Sequence, residues 1–241
     1  MKFQQLCFPV TVMMTMIVVG PTAAASCTNA NVTGVWGYVV GAAVGQFTAD
    51  GKGDITNGSQ TVSQHGTIEK QTFTGRYSVA TNCTGRVTID VTGGKSVSAN
   101  FVLDNSNKGF EIIDTTAGTL AEGFGMARGT VTCGLTGKKE TFAAGLLGND
   151  IGKGPVASVA QVILDGTGRV SGTGTFDVNG ISVNTAITGT YTEDDDCTGT
   201  AQITPAGLST LNFNFVVVNG GKEILLIETD TNTAVAGYMQ Q

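Results

Sequence analysis

The residues able to do chemistry in this 241-residue chain are few. His65, in Ser63-Gln-His-Gly-Thr67, is the single histidine, so a metal site or a Ser-His-Asp arrangement would have to be assembled around it. It lies between two strand-like runs and beside Gly66, and reads as an exposed turn residue. Glu193-Asp194-Asp195-Asp196 is the densest charge. Hard cations take several carboxylate oxygens, yet this run lacks the spacing of a calcium loop and reads as a solvated turn. No metal site and no cofactor motif is predicted. Asp114 and Glu228 are of another kind, because they end the apolar runs Ile112-Ile113 and Leu226-Ile227. Pointing into an apolar cavity, they would be desolvated, with raised pKa values, and poised to move a proton or orient a ligand. Facing water, they would be ordinary strand-end carboxylates. Tyr77 and Tyr191, with Phe124 and Tyr238, are candidates to line the same cavity. The candidate ligand-binding residues are therefore Asp114, Glu228, Tyr77 and Tyr191. No set of residues forms a catalytic signature.

These candidates come in pairs because the chain is written twice. Thr74-Gly-Arg-Tyr-Ser-Val-Ala-Thr-Asn-Cys-Thr-Gly85 returns as Thr188-Gly-Thr-Tyr-Thr-Glu-Asp-Asp-Asp-Cys-Thr-Gly199. From there Asn100-Phe101-Val102 matches Asn214-Phe215-Val216, and Ile113-Asp114-Thr115 matches Ile227-Glu228-Thr229. Upstream the spacing slips by one, so that Asp50-Gly51 meets Asp165-Gly166. Cys27 and Cys133 open the two units, and the second unit's extra residues are placed within Leu147 to Ala160. The expected organisation is a leader over 1–25, one unit over 26–130 and a second over 131–241.

The leader assignment rests on Lys2, the apolar run Phe8 to Val19 and the small residues Ala23-Ala24-Ala25, the pattern of a cleaved export signal. The run is too short to span a bilayer as a helix, and no later stretch approaches the length required. The expected location is outside the cytoplasm, secreted or periplasmic. Four cysteines remain after cleavage: Cys27, Cys83, Cys133 and Cys197. An even count in an exported chain points to disulfides, with three connectivities open from spacing alone. The duplication favours pairing within units, Cys27 with Cys83 and Cys133 with Cys197. A rival reading lipidates Cys27, but Cys133 holds the equivalent place mid-chain, where that chemistry is unavailable. Asn31, Asn57 and Asn82 stand in glycosylation sequons that matter only in a host using them.

Charge excludes some partners. The chain carries 13 basic and 19 acidic residues, with a net charge of −6. Affinity for nucleic acid or anionic membrane needs clustered Lys and Arg, so neither is predicted.

Strands must position the candidates. In Arg86-Val-Thr-Ile-Asp-Val91, Val87, Ile89 and Val91 fall on one face, and Val97, Ala99, Phe101 and Leu103 repeat the alternation. Asp50-Gly51, Asp165-Gly166, Asn179-Gly180 and Asn219-Gly220 supply the positive φ that tight hairpins need. Thirty-five glycines, many threonines and no long 3.6-residue period argue against helices. About eight strands per unit in hairpin order predict an all-β fold of two tandem antiparallel barrels, since closure removes exposed edges. In Phe215-Val216-Val217-Val218 both faces are apolar, which predicts that the outward one meets the other unit.

The motifs Gly75-x-Tyr77-x5-Cys83-Thr-Gly85, Asn100-Phe-Val-Leu-Asp-Asn105, Lys108-Gly-Phe-Glu-Ile-Ile-Asp-Thr115 and Gly118-Thr-x3-Gly123 resemble those of secreted bacterial proteins similar to the allene oxide cyclase barrel. Gly34-Val35-Trp36 also resembles the start of lipocalins. The resemblance implies a calycin-like small barrel around a cavity. Barrel cyclases act by shaping a reactive substrate with a few polar groups, but no catalytic residue of theirs maps onto this chain. The expected function is binding of a small apolar ligand, or an envelope or extracellular interaction module. The alternatives are a cyclase-like enzyme and a structural or adhesive surface protein. An eight-stranded barrel is either filled by side chains or holds one small ligand, so the interior decides between them.

Overall fold

The computed structural model describes residues 26–129 and 133–241, and the leader expected over 1–25 lies outside them. Sixteen strands form two closed antiparallel barrels, each of eight strands in sequential order. Barrel 1 comprises β1 (Gly34–Val40), β2 (Ala43–Ala49), β3 (Asp54–Gln64), β4 (Thr67–Val79), β5 (Thr84–Val91), β6 (Ser96–Leu103), β7 (Gly109–Asp114) and β8 (Glu122–Ala127). Barrel 2 comprises β9 (Glu140–Asp150), β10 (Gly154–Leu164), β11 (Arg169–Val178), β12 (Ile181–Glu193), β13 (Thr198–Pro205), β14 (Leu211–Val218), β15 (Glu223–Glu228) and β16 (Thr233–Gln240). β1 closes on β8, and β9 closes on β16. This is the all-β tandem-barrel architecture expected from the alternation, and it is compatible with a calycin-like double barrel. Among the described residues no helix is long and apolar enough to cross a membrane.

The offsets between the two units have a structural cause. Trp36 faces Phe47 across β1 and β2, and Phe142 faces Val162 across β9 and β10. The residues separating those partners are where the second unit grows: β9 and β10 each run 11 residues against 7 in β1 and β2. The slip by one is a β-bulge. Ile55 pairs with Gly75 and Gly58 with Phe73, whereas Val170–Gly189 and Gly172–Ile187 in barrel 2 keep step. The extra residue is accommodated with Asn57 at φ +51°, a left-handed conformation that Asn tolerates.

One end of each barrel is stoppered by the segment entering it. In barrel 1 a single 3-10 turn, Asn29–Val32, follows Cys27 across that end. The Tyr77 hydroxyl donates to the Asn29 carbonyl at 3.2 Å, and Val79 N–H donates to Asn29 Oδ1 at 2.8 Å. In barrel 2 the Tyr191 hydroxyl donates to the Leu135 carbonyl at 3.0 Å. Disulfides Cys27–Cys83 and Cys133–Cys197 hold the two stoppers down, the pairing within units that the duplication favoured.

The barrels stand side by side with their open ends on the same side. At that end Asn232 N–H donates to the Gly66 carbonyl at 2.9 Å. At the other, Gly220 N–H donates to the Arg128 carbonyl at 2.9 Å. Between them lies a buried apolar cluster: Val39 and Val44 from barrel 1 meet Val216, Val218, Leu225, Ile227 and Ala236 from barrel 2. The doubly apolar run Phe215–Val218 is thereby explained, with Phe215 and Val217 in their own barrel's core and Val216 and Val218 in the joint. Phe124 and Tyr238 belong to the joint as well, their rings 5.7 Å apart and nearly perpendicular. They do not line a cavity, because alternation along β8 and β16 turns both outward.

Candidate functional site

The two interiors differ. Barrel 1 holds an open cavity of about 1080 Å³, and the interior of barrel 2 leaves about 70 Å³. The first reaches from Val32 and Phe47 deep inside to the turns at Ala42, His65, Lys95 and Leu120. The second is filled by side chains at matched places. Ala99 pairs with Val87 in barrel 1, and Phe213 pairs with Ala201 at the equivalent step of barrel 2. Val62 pairs with Glu69, and Phe176 pairs with Val183. Two phenyl rings in barrel 2 thus stand where barrel 1 has a methyl and an isopropyl group.

Of the sequence candidates, Asp114 lies at the cavity mouth, inward from the end of β7. Its Oδ1 accepts the Thr116 N–H at 2.7 Å and so shapes the turn leading to β8. Tyr77 reaches the floor of the cavity, with its hydroxyl committed to the stopper. Tyr191 does the same service in barrel 2. Burial raises both phenol pKa values.

Glu228 sits inward at the end of β15, 6% exposed, in the barrel without a cavity. Its backbone pairs with Phe213 on β14, and its carboxyl takes no hydrogen bond from the described residues. Burial raises its pKa to about 7, the nearby carboxylates Asp230 and Asp150 push the same way, and Lys153 opposes them. Asp114 and Glu228 are equivalent in the repeat, but only Asp114 borders an open space.

The remaining chemistry candidates are structural. His65 (φ +53°) and Gly66 (φ +83°) form the two-residue turn joining β3 to β4, the counterpart of Asn179-Gly180 in barrel 2. In the acidic run, Glu193 accepts the Leu135 N–H at 3.2 Å, and Asp196 Oδ1 accepts the Thr198 N–H at 3.0 Å. Asp196 Oδ2 takes a hydrogen bond from Gln46 Nε2 at 3.1 Å, across the joint. No cluster of His, Cys, Asp and Glu arranged to hold a metal occurs among the described residues.

The cavity also contains a polar system that alternation alone does not single out. The Tyr38 hydroxyl donates to Gln60 Oε1 at 2.5 Å, Gln60 Nε2 to Gln71 Oε1 at 2.7 Å, and Gln71 Nε2 to Glu69 Oε2 at 2.9 Å. The direction is fixed from the mouth inward. An ionised Glu69 can only accept, so Gln71 must present its NH₂ there and its carbonyl to Gln60, and Gln60 in turn its carbonyl to Tyr38. Tyr38 crosses β2 at Gly45, where an added Cβ would stand 2.7 Å from the phenol oxygen and 2.5 Å from the Ser59 carbonyl. Burial raises the Tyr38 pKa, which keeps the phenol protonated and donating. At the same four places barrel 2 has Ala144, Gly174, Thr185 and Val183. A search for polar residues shared by both units overlooks this row because it belongs to one unit.

Set against protein-family models and curated protein sequences, the chain matches none.

Proposed function

We propose that this is an exported binding protein in which barrel 1 holds one small, largely apolar molecule and barrel 2 is a filled companion that braces it. The carrying observation is the contrast between the two interiors, about 1080 Å³ against about 70 Å³, on one duplicated framework. Ligand sites in proteins are commonly apolar hollows of about 300–1,000 Å³ with a few placed polar groups. Phe47, Ile55, Val87, Phe101 and Phe110 supply the apolar lining, and the row from Tyr38 to Glu69 supplies the polar groups. Export is supported by the leader-like first 25 residues and by two disulfides, which persist in oxidising compartments.

The test uses the fluorescent apolar amine N-phenyl-1-naphthylamine. The parent protein binds it with enhanced emission at about 1:1. The variant Val62→Phe/Ala99→Phe, which imports barrel 2's fillers, loses that binding while keeping its thermal transition. Equal emission from parent and filled variant would place the probe elsewhere and remove the proposal.

A further inference from the structure

We infer that the barrel 1 cavity selects a neutral molecule carrying hydrogen-bond-accepting oxygens along one side, such as a ketone, ester or lactone on an apolar skeleton. It discriminates against fatty-acid anions and plain hydrocarbons. The inference rests on the binding role proposed above and adds the ligand's chemical class.

The polar row occupies one wall. Gln60 and Gln71 are direct cross-strand partners on β3 and β4, and Tyr38 joins them from β1 over Gly45. The opposite wall, from β5 to β7, presents Val87, Ile89, Ala99, Phe101 and Ile112. A ligand between them meets amides on one side and only carbon on the other.

The hydrogen-bond direction decides what the amides have left to offer. Each glutamine spends one N–H and one carbonyl lone pair within the row, so each retains a second N–H and a second lone pair; of the two, a buried N–H is the less often left unpaired. Directly opposed cross-strand residues stand about 5 Å apart. Two N–H donors at that spacing match acceptor oxygens on one edge of a ligand. A hydrocarbon that displaces water from both donors leaves them unpaired, which is costly.

An anion is disfavoured for a separate reason. No cation takes part in the row of amides, which ends on the carboxylate of Glu69. Lys70 and Lys95, the two lysines in the lining, are exposed to solvent, and the carboxylates Glu69 and Asp114 line the same cavity. Burying an unpaired carboxylate beside neutral amides carries a large desolvation cost.

Competition against bound N-phenyl-1-naphthylamine at about pH 7.5 tests this, with 2-decanone, decane and decanoate as probes of equal chain length. One or two neutral hydrogen bonds correspond to a preference for 2-decanone of about ten-fold over decane, and decanoate is the weakest of the three. In Gln60→Leu/Gln71→Leu the ketone's advantage over decane, both measured against that variant's own affinity for the fluorescent probe, falls to within about two-fold. Should the double variant not fold, Gln71→Met alone carries the test, with an expected loss of about three-fold. Decanoate binding as well as the ketone, or a preference surviving the glutamine substitutions, overturns the inference and leaves the binding role standing. A parent protein that does not bind the fluorescent probe removes both.

Discussion

Ala99 and Phe213 occupy one place in two copies of one barrel, inward on the sixth strand and paired across to Val87 and Ala201. Both are buried, at 8% and 4% exposure. The methyl group borders the open cavity and the phenyl ring fills the closed interior, so the pair concentrates the difference between the barrels. Phe213→Ala should therefore cost about 3–5 kcal/mol, the usual range for deleting a buried phenyl group from a packed core. Ala99→Phe, entering existing space, should cost less than about 1.5 kcal/mol, as for a tolerated core exchange. Urea unfolding of the two single variants measures both, and equal losses would contradict the assignment of one open and one filled barrel.

The two disulfides do similar thermodynamic work and different functional work. Their loops span 56 and 64 residues, so each is expected to stabilise its barrel by roughly 4 kcal/mol on the chain-entropy account. Only the Cys27–Cys83 bond anchors a stopper beneath a cavity, because Val32 forms part of that cavity's lining. Cys27→Ser/Cys83→Ser should weaken binding of the apolar probe, and Cys133→Ser/Cys197→Ser should lower the Tm without changing it. Probe titrations of the two variants below their transitions distinguish the cases.

Glu228 gives stability a pH dependence near neutrality. Its folded pKa, about 7, lies above that of an exposed glutamate, so the folded state holds its proton more tightly than the unfolded chain. The penalty for ionising it is absent below about pH 4.5, grows as pH rises toward 7, and is complete above. That penalty is on the order of 3 kcal/mol, because one pKa unit corresponds to 1.36 kcal/mol. Glu228→Gln should raise the Tm by several degrees at about pH 8 and leave it unchanged at about pH 4.5. A difference that does not vary between those pH values would show that this carboxyl does not titrate in the folded barrel.

Much of the framework is legible in the residues, and the reason is periodicity. Inward alternation along β5 and β6 needs only a two-residue rhythm, and hairpins need residues such as Asn179-Gly180 that accept positive φ. The within-unit disulfides follow from Cys27 and Cys133 opening equivalent segments. The site was legible only in part. The strand endings left Asp114 and Glu228 open to facing a cavity or water; Asp114 borders the cavity and its twin Glu228 lies in a filled barrel, since cavity volume depends on what stands opposite. Gln60 and Gln71 escape notice because their meeting depends on the register of β3 against β4, which the bulge at Asn57 resets. Phe124 and Tyr238 face the joint because parity along a strand depends on pairing with β1 and β15, not on residue type.

The duplication leaves one face of barrel 1 without the neighbour that its counterpart has. Val102 and Ile113 are 49% and 48% exposed, whereas their repeat partners Val216 and Ile227 are 4% and 0% exposed in the joint. The residues around them differ in charge. Leu225 and Ala236 of the joint correspond to Glu111 and Glu122, and the Glu111 pKa is raised, by burial first and by the neighbouring Glu122 carboxylate second. Barrel 2 retains the matching half of the contact, since Val159 and Gln161 on β10 repeat Val44 and Gln46 on β2, and Val159 is 65% exposed. An interface that repeats head to tail builds rings or filaments unless an end is capped, and a polar outer face is the usual cap. Glu111→Leu/Glu122→Ala should therefore let the barrel-to-barrel contact propagate between molecules, giving species larger than the parent in sedimentation velocity at tens of micromolar. Adding Val159→Lys, on the opposite face, should restore the parent's sedimentation. If the double variant sediments like the parent, the two carboxylates do not limit the array.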